Sequence, residues 1–352
     1  MSVARVFLAL LLAASPFAAR ADDPVTPETY AGRSDVEGFI RDLVTRHAFD
    51  AGELEAVFSR ARREDGVLAA MQAQPRQLDS WEAYRALFVN ERHVKAGLEF
   101  WNENRAALAR ARARYGVPEE IVIAILGVET FYGRNTGRWR VIDALTTLAF
   151  DYPPRAQFFR GELENYLLFV RDLEIDVFSV KGSYAGAIGI PQFMPGSYLR
   201  YAVDFDGDGT TDLRGNAADA IGSVANFLRG HGWRRGEPVQ RRASVSGAGY
   251  EALVSSSLLP SSTIGALRAA GVVARGPALP PDTPAMLLRL DTPERPADFR
   301  VGLQNFYVLT RYNRSPFYAL SVADLGDALR AARRASRGAA LREHPQEELP
   351  GR

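Results

Sequence analysis

Gly116-Val117-Pro118-Glu119-Glu120-Ile121-Val122-Ile123-Ala124-Ile125-Leu126-Gly127-Val128-Glu129 is the stretch whose reading sets the fold class. Ile121 to Val128 are all apolar or Gly, a run that alone fits a buried strand or a buried helix. The start signal decides between them. Proline suits the first helical turn, where its missing N–H has no partner to lose, and acids there complement the helix dipole. The stretch is therefore a buried helix, and it ends on a carboxyl, Glu129.

Working outward, helical spacing holds on both sides. Phe39, Ile40, Leu43 and Val44 share a helix face, as do residues from Tyr84 through Trp101 to Leu108, with Asp50 and Asp79 or Ser80 as N-caps. Helical patterns continue through Leu145–Phe150 and Gln157–Phe169, and again with Ile221, Val224, Ala225 and Leu228 before Gly230 and Gly232. Residues 181–215, rich in Gly, Pro and Asp, read as irregular. Residues 236–305 differ: short alternating runs at Ala285–Leu290 and Phe299–Leu303, a short helix near Ile264–Ala270 and a Pro-rich stretch, Pro277–Pro284, predict a small α/β subdomain. Ser315–Ala331 returns to helix, and the charged, Ala/Gly-rich tail after Arg333 is expected to fray. The fold class is α+β, mainly α.

The chain has 352 residues, 47% of them hydrophobic, enough for a large core and about two domains. A net charge of +1 gives no global field that would favour nucleic acid. Arg5, the apolar run Val6–Ala14 and Ala19-Arg20-Ala21 before Asp22 form a secretory signal, too short to span a bilayer comfortably as an uncleaved anchor. Residues 1–21 hold two Arg and no acids, so 41 basic and 42 acidic residues follow. Cysteine is absent, so neither a disulfide nor a lipid-bearing thiol is available, and no later segment is apolar for long enough to cross a membrane. A protein exported beyond the inner membrane and not membrane-spanning is expected.

Three features could carry chemistry. Glu129 ends the apolar run in Gly127-Val128-Glu129-Thr130-Phe131-Tyr132-Gly133. Burial disfavours the charged carboxylate, and a carboxylic acid kept protonated near neutral pH can give a proton to a glycosidic oxygen. From the residues alone, a buried Glu satisfied by an Arg such as Arg134 or Arg140 is marginally the better reading. The second feature is Asp204-Phe205-Asp206-Gly207-Asp208-Gly209-Thr210-Thr211-Asp212. Carboxylates at positions 1, 3 and 5, Gly209 at position 6 and the Thr210 carbonyl at position 7 suit Ca²⁺. The twelfth position is Gly215 instead of the bidentate Glu of an EF-hand, so Asp212, Asn216 or water must complete the shell. The alternative is an acidic solvated turn. The third is Gly182-Ser183-Tyr184-Ala185-Gly186-Ala187-Ile188-Gly189-Ile190-Pro191-Gln192-Phe193-Met194-Pro195, where glycines permit close approach, Tyr184 and Phe193 offer flat faces, and Gln192 can donate and accept. A structural loop around a core Phe is the other reading. The four His lie far apart with no H-E-x-x-H spacing, and there is no G-x-S-x-G elbow or phosphate-binding loop, which argues against zinc hydrolases, serine hydrolases and nucleotide enzymes.

In order along the chain, these motifs, with Tyr201 to Gly209, Asp219 to Asn226 and Asn305-Phe306…Thr310-Arg311-Tyr312-Asn313…Ser315…Tyr318, resemble the lytic murein transglycosylase B family over residues 36–330. The resemblance implies a lysozyme-like core with an extra helical N-terminal domain and a small α/β insertion. It divides the chain into a signal (1–21), an N-terminal helical region (22–115), the catalytic core (116–235), the α/β subdomain (236–305), a segment returning to the core (306–332) and a tail (333–352). It implies that Glu129 is the single catalytic glutamate and that the glycan strand of peptidoglycan is cut between N-acetylmuramic acid and N-acetylglucosamine. Tyr132, Tyr184, Gln192 and Phe193 would bind sugar, Tyr312, Asn313 and Tyr318 would close the cleft, and Asp204, Asp206, Asp208, Thr210 and Asp212 would hold structural Ca²⁺. No organic cofactor is implied. Proteins of the cell-wall machinery would be partners, and the location would be periplasmic.

A glycosidase that uses water normally needs two carboxylates flanking the bond. Only Glu129 stands in a catalytic context. The resemblance implies that it first protonates the leaving oxygen, helped by the substrate's acetamido group, then acts as base while the muramic acid C6 hydroxyl attacks C1 and leaves a 1,6-anhydro sugar. Ile188 and Gly196 depart from the Met and Ser common in the family, and Gly215 departs from the calcium pattern. A muramidase that hydrolyses the same bond, or a non-catalytic cell-wall-binding scaffold, are the rival readings.

Overall fold

The computed structural model describes residues 29–73, 80–293 and 295–343, with the backbone alone for 337–343. The signal, Asp79 and residues 344–352 lie outside the described residues. In chain order, helices α1 (Ser34–His47), α2 (Ala51–Arg60), α3 (Asp65–Gln72), α4 (Trp81–Phe88), α5 (Glu91–Glu103), α6 (Arg105–Tyr115) and α7 (Glu119–Thr130) come first. The short strand β1 (Trp139–Arg140), α8 (Val141–Asp151), α9 (Ala156–Asp172), β2 (Lys181–Gly182), α10 (Pro195–Tyr201) and α11 (Ala217–Gly230) follow. The last part holds β3 (Gln240–Val245), β4 (Ser262–Thr263), α12 (Ile264–Ala269), β5 (Val272–Ala274), β6 (Pro284–Thr292), β7 (Arg295–Gly302), α13 (Gln304–Tyr312) and α14 (Pro316–Glu343). This is the α+β, mainly α class expected. No described helix is long and apolar enough to cross a membrane.

Contacts sort the elements into two units that interleave along the chain. One contains described residues 29–73 and 133–220, the other 80–132 and 221–343. The contiguous stretch 116–235 therefore contributes to both, and α11 begins in one and ends in the other.

In the first unit, α8 packs on α9, α10 on α9 and α3 on α8. Phe39, Phe58 and Phe150 meet edge to face at centroid distances of 5.8–6.3 Å. Asp50 caps α2 by accepting from the Glu53 N–H at 2.8 Å, as its position predicts. Asp143, buried on α8, is satisfied by the Arg62 N–H at 3.0 Å and by Arg140 Nε at 2.5 Å.

In the second unit, α7 is the central helix. Ile121 through Thr130 are all buried, as an all-apolar helix requires, and α5, α6 and α14 pack around it. Its first turn is tied at both acids: Trp101 Nε1 donates to Glu119 at 2.6 Å, and Arg330 lies 3.4 Å from Glu120. Ser80 caps α4, accepting from the Ala83 N–H at 3.1 Å. The five-stranded sheet, order β4-β6-β7-β3-β5, is antiparallel throughout, with Leu287 opposite Val301 and Arg242 opposite Arg300. One face buries Ala285, Leu287, Val301 and Leu303 against Ile264 and Leu267 of α12. On β6 Met286 and Leu288 are buried too, because α4 packs against that strand. The described part of the tail, to Glu343, departs from expectation. Helix α14 runs on past Arg333 to Glu343, since the segment is Ala-rich and the Arg333 guanidinium lies 4.0 Å over the Trp101 ring.

Candidate active site

Helix α7 stops abruptly after Thr130. Phe131 (φ 50°), Tyr132 (φ 62°) and Gly133 (φ 88°) take the left-handed conformation in succession. For the two non-glycine residues this costs on the order of 1 kcal/mol or more each, which other contacts must offset. The Phe131 and Tyr132 N–H groups satisfy the carbonyls of Gly127 and Leu126 at 3.1 and 3.0 Å. Tyr132 donates its hydroxyl to the His93 carbonyl at 2.8 Å, and its ring lies so close to Gly127 that a Cβ there would stand 2.7 Å from Cζ. Tyr132, expected to contact sugar, is thus buried and engaged in fixing the end of the helix that carries Glu129.

Glu129 is 9% exposed. Loss of hydration pushes its pKa from 4.5 up to about 7, against the opposing pull of one hydrogen bond from Tyr318. That bond runs from Tyr318 Oη to Glu129 Oε1 at 2.6 Å. The partner is a tyrosine on α14, not the arginine that a satisfied structural glutamate would need. Tyr318 is set by its position in the first turn of α14, where its N–H donates to Ser315 Oγ at 3.3 Å. Tyr312 at the end of α13 stacks parallel to Tyr318, with centroids 6.3 Å apart and planes at 11°, and meets the Phe227 ring at 4.9 Å. Burial, and next the charge of Glu129, hold the Tyr312 and Tyr318 hydroxyls well above their usual range. Asn313 follows with a buried Oδ1 that has no hydrogen-bond partner among the described residues.

Tyr84 on α4 belongs to the same group of tyrosines. Its ring packs against Phe317 at 5.6 Å and Phe88 at 5.5 Å, and its buried hydroxyl has no hydrogen-bond partner among the described residues. Burial and the charge of Glu129 raise its pKa as well. A buried hydroxyl without a partner costs about 1–3 kcal/mol and is suited to a donor's role toward an incoming ligand.

In the other unit, residues 182–194 form a self-paired loop. Ile188 and Phe193 exchange backbone hydrogen bonds at 2.8 and 3.1 Å, and Ser183 donates to the Ala187 carbonyl at 2.9 Å. Gly189 (φ 75°) is forced to be glycine, since a Cβ would run into the Leu213 carbonyl. Gln192, itself left-handed (φ 52°), donates Nε2 to the carbonyls of Gly189 at 2.9 Å and Thr136 at 3.1 Å, leaving Oε1 as an acceptor. Tyr184 is half-buried, and burial raises its hydroxyl pKa. Phe193 does not offer an open face. It is 2% exposed, because the paired backbone turns its ring into the core. At Gly196 a Cβ would stand 2.8 Å from Asn165 Nδ2, the free end of a side chain that can turn aside.

The acidic loop brings Asp204 and Asp206 together with Asp219, with one carboxylate oxygen from each lying within 4.8 Å of the others. Asp219 is fully buried and accepts from the N–H groups of Phe205 (2.6 Å) and Asp212 (2.8 Å). Desolvation first, then the charges of Asp206 and Asp204, raise its pKa. Asp208 and Asp212 instead cap turns: Asp208 Oδ1 accepts from the Thr210 N–H at 2.8 Å, and Asp212 Oδ1 from the Arg214 N–H at 2.9 Å.

The family model described as the transglycosylase SLT domain matches residues 31–327, nearly the whole of the described chain. The chain belongs to that family. Membrane-bound lytic murein transglycosylase B of Escherichia coli (strain K12) is 42% identical over 313 residues, 86% of this chain and 85% of that protein. Among solved structures, the catenated lytic transglycosylase SltB1 from Pseudomonas aeruginosa superposes with a TM-score of 0.82 at 43% identity, covering 86% of this chain and 99% of its own. The Escherichia coli lytic transglycosylase Slt35 in complex with calcium gives 0.78 at 42% identity, covering 88% and 98%.

Two residues of this SLT-domain chain, one in each unit, stand out although sequence reasoning gave them no site role. Tyr84 reads in the sequence as one apolar position of an amphipathic helix, and only its unpartnered hydroxyl sets it apart. Asp219 lies beyond the acidic loop, at the start of α11, and its sequence signal was the Asn216-x-x-Asp219 capping pattern, in which Asn216 Oδ1 accepts from the Asp219 N–H at 3.2 Å.

Proposed function

We infer that this protein is a lytic transglycosylase that cleaves the N-acetylmuramic acid–N-acetylglucosamine bond of peptidoglycan without water, with Glu129 as acid and then base. The carrying observation is the isolation of one carboxyl at the right acidity. Burial pushes the Glu129 pKa up to about 7 against the hydrogen bond from Tyr318, and no carboxylate among the described residues contributes to the shift. The charged side chains of two-carboxylate hydrolysis are replaced around it by the tyrosines Tyr84, Tyr312 and Tyr318.

In the first step the proton sits on Oε2, because Tyr318 donates to Oε1, and passes to the glycosidic oxygen as the C1–O bond breaks. The resulting carboxylate, still held by Tyr318, takes the proton of the C6 hydroxyl as that oxygen bonds to C1. The carboxyl ends protonated, as it began, and no water is consumed. The C6 hydroxyl belongs to the same sugar, so its attack gains the proximity of an intramolecular reaction. Asn313 Oδ1 and Tyr84 Oη, in the unit that carries Glu129, are proposed to make polar contacts to the strand; in the other unit, taken by itself, Gln192 Oε1 and Tyr184 are proposed as sugar-binding groups.

The residues of the acidic loop fit a calcium ion. Three carboxylates crowd together, one of them buried, and like charges so close need a cation to remain ionised together. Asp204, Asp206 and Asp219 would hold it, with Asp208, Thr210 and Asp212 on the same loop. Bound there, Ca²⁺ supplies neutralisation and a clip between the loop and α11, not reaction chemistry. With this substrate, the protein acts in the periplasm.

Clearing of purified peptidoglycan by the full chain, by Glu129→Gln and by Glu129→Asp tests the assignment. Wild type should clear the suspension, the Gln variant should be inactive, and the shorter acid should retain only a small residue. Clearing by the Gln variant at the wild-type rate would overturn it.

A further inference from the structure

A cavity of about 330 Å³ opens in the second unit where α4 meets strands β3, β6 and β7. That is the lower end of the range of about 300–1,000 Å³ typical of small-molecule sites. Trp81 and Pro296 give it apolar walls, and Arg85, Arg242, Arg295 and Arg300 line it against the two acids Glu82 and Asp298.

The charges do not balance. Arg300, 1% exposed, is held on both sides, with Nη2 on Asp298 at 2.8 Å and Nη1 on Asp324 at 3.1 Å. Asp324 is shared, since its other oxygen accepts from Arg85 Nε at 2.7 Å. Arg295 reaches Glu82 at 2.7 Å in an exposed pair of little strength. Among the described residues, Arg85, Arg295 and Arg300 thus share three carboxylates and Arg242 adds a fourth guanidinium, a group that does not lose its proton. Arg242 makes no side-chain hydrogen bond or ion pair among the described residues, and Arg85 has only the one bond from Nε.

We propose that this cavity binds a peptide carboxylate, the free end of a stem peptide carried by the glycan. Planar guanidinium forks match a carboxylate's two oxygens, and the Trp81 and Pro296 walls suit short aliphatic side chains beside it. Asp298 and Glu82 in the lining disfavour a dianion, which argues for a single negative charge over a phosphate. The choice of a stem peptide rests on the reading of the protein as a peptidoglycan enzyme; the carboxylate site does not. The site bears on catalysis through Arg85 and Asp324. Their pair ties α4, which carries Tyr84, to α14, which carries Tyr318.

Isothermal titration of the full chain with acetyl-D-alanyl-D-alanine, with its C-terminal amide and with inorganic phosphate tests the proposal. The free carboxylate should bind, and the amide should bind about tenfold more weakly, the lower end of what a charge-assisted hydrogen bond contributes. Arg242→Gln should weaken carboxylate binding by a similar factor with an unchanged melting temperature, and Arg242→Lys should fall between. Equal binding of carboxylate and amide, binding of neither, or wild-type affinity in R242Q would overturn the site. Tighter binding of phosphate than of peptide would overturn the peptide as its occupant. No glycan is present in these titrations, so their outcome is independent of whether the protein cleaves peptidoglycan.

Discussion

Replacing Glu129 by Gln should abolish activity and at the same time stabilise the fold, by an amount that depends on pH. The carboxyl is 9% exposed and titrates near 7 instead of at 4.5, because burial penalises its charge. A group whose pKa is higher in the folded state binds more protons there, so stability falls as pH rises through the interval between the two values. Between pH 4.5 and about 7 the loss accumulates to about 3 kcal/mol, at 1.36 kcal/mol for each tenfold mismatch in proton affinity. Gln is neutral at every pH and can still accept the 2.6 Å hydrogen bond from Tyr318. Urea unfolding at pH 8 should therefore show E129Q more stable than wild type by up to about 3 kcal/mol, and at pH 4.5 the two should coincide. A wild type as stable as the variant at pH 8, or an advantage independent of pH, would refute the claim that a desolvated carboxylate is stored at the end of α7.

Other perturbations follow from the same geometry. Tyr318→Phe removes the one group that favours the carboxylate, so the alkaline limb of the pH–rate profile should move up by about 1–2 pH units while the maximal rate drops; a limb that stays in place or moves down contradicts the assigned role. Gly127→Ala sets a Cβ against the Tyr132 ring and should cost about 1–3 kcal/mol in denaturant unfolding, with Gly161→Ala, which meets no atom within 4 Å, as the near-neutral control. Calcium should raise the melting temperature of the wild type by a few degrees, and Asp219→Asn should abolish most of that gain; if neither calcium nor a chelator moves the wild type, the loop is only a turn.

The helix bearing Glu129 was readable because its start is marked by Pro118-Glu119-Glu120 and its body is apolar on every side, a local pattern needing no tertiary knowledge. The cap Asp50 was readable for the same reason, and the second cap to within one residue, Asp79 or Ser80, of which Ser80 accepts from Ala83. What surrounds Glu129 was less so. Its hydrogen-bond partner lies 189 residues away, and only the resemblance to a family singled out Tyr318. Tyr84 was hidden because a buried tyrosine and a buried phenylalanine look alike in a helical pattern. Burial also reversed two simple inferences from side-chain type: Phe193 is turned inward by strand-like pairing of its backbone, and Tyr132 is occupied by the His93 carbonyl. In the acidic loop, spacing located Asp204 and Asp206, but the third carboxylate comes from Asp219 at the head of α11, outside any EF-hand register.

The claim at the centre is that one carboxyl serves as acid and then base while water is excluded from the reaction. Digestion of purified peptidoglycan by the wild-type chain in heavy-oxygen water, followed by mass spectrometry of the muropeptides, tests it most directly. The account predicts unlabelled products one water lighter than the hydrolysis products, ending in 1,6-anhydro-muramic acid. Reducing-end products carrying the heavy oxygen would contradict it.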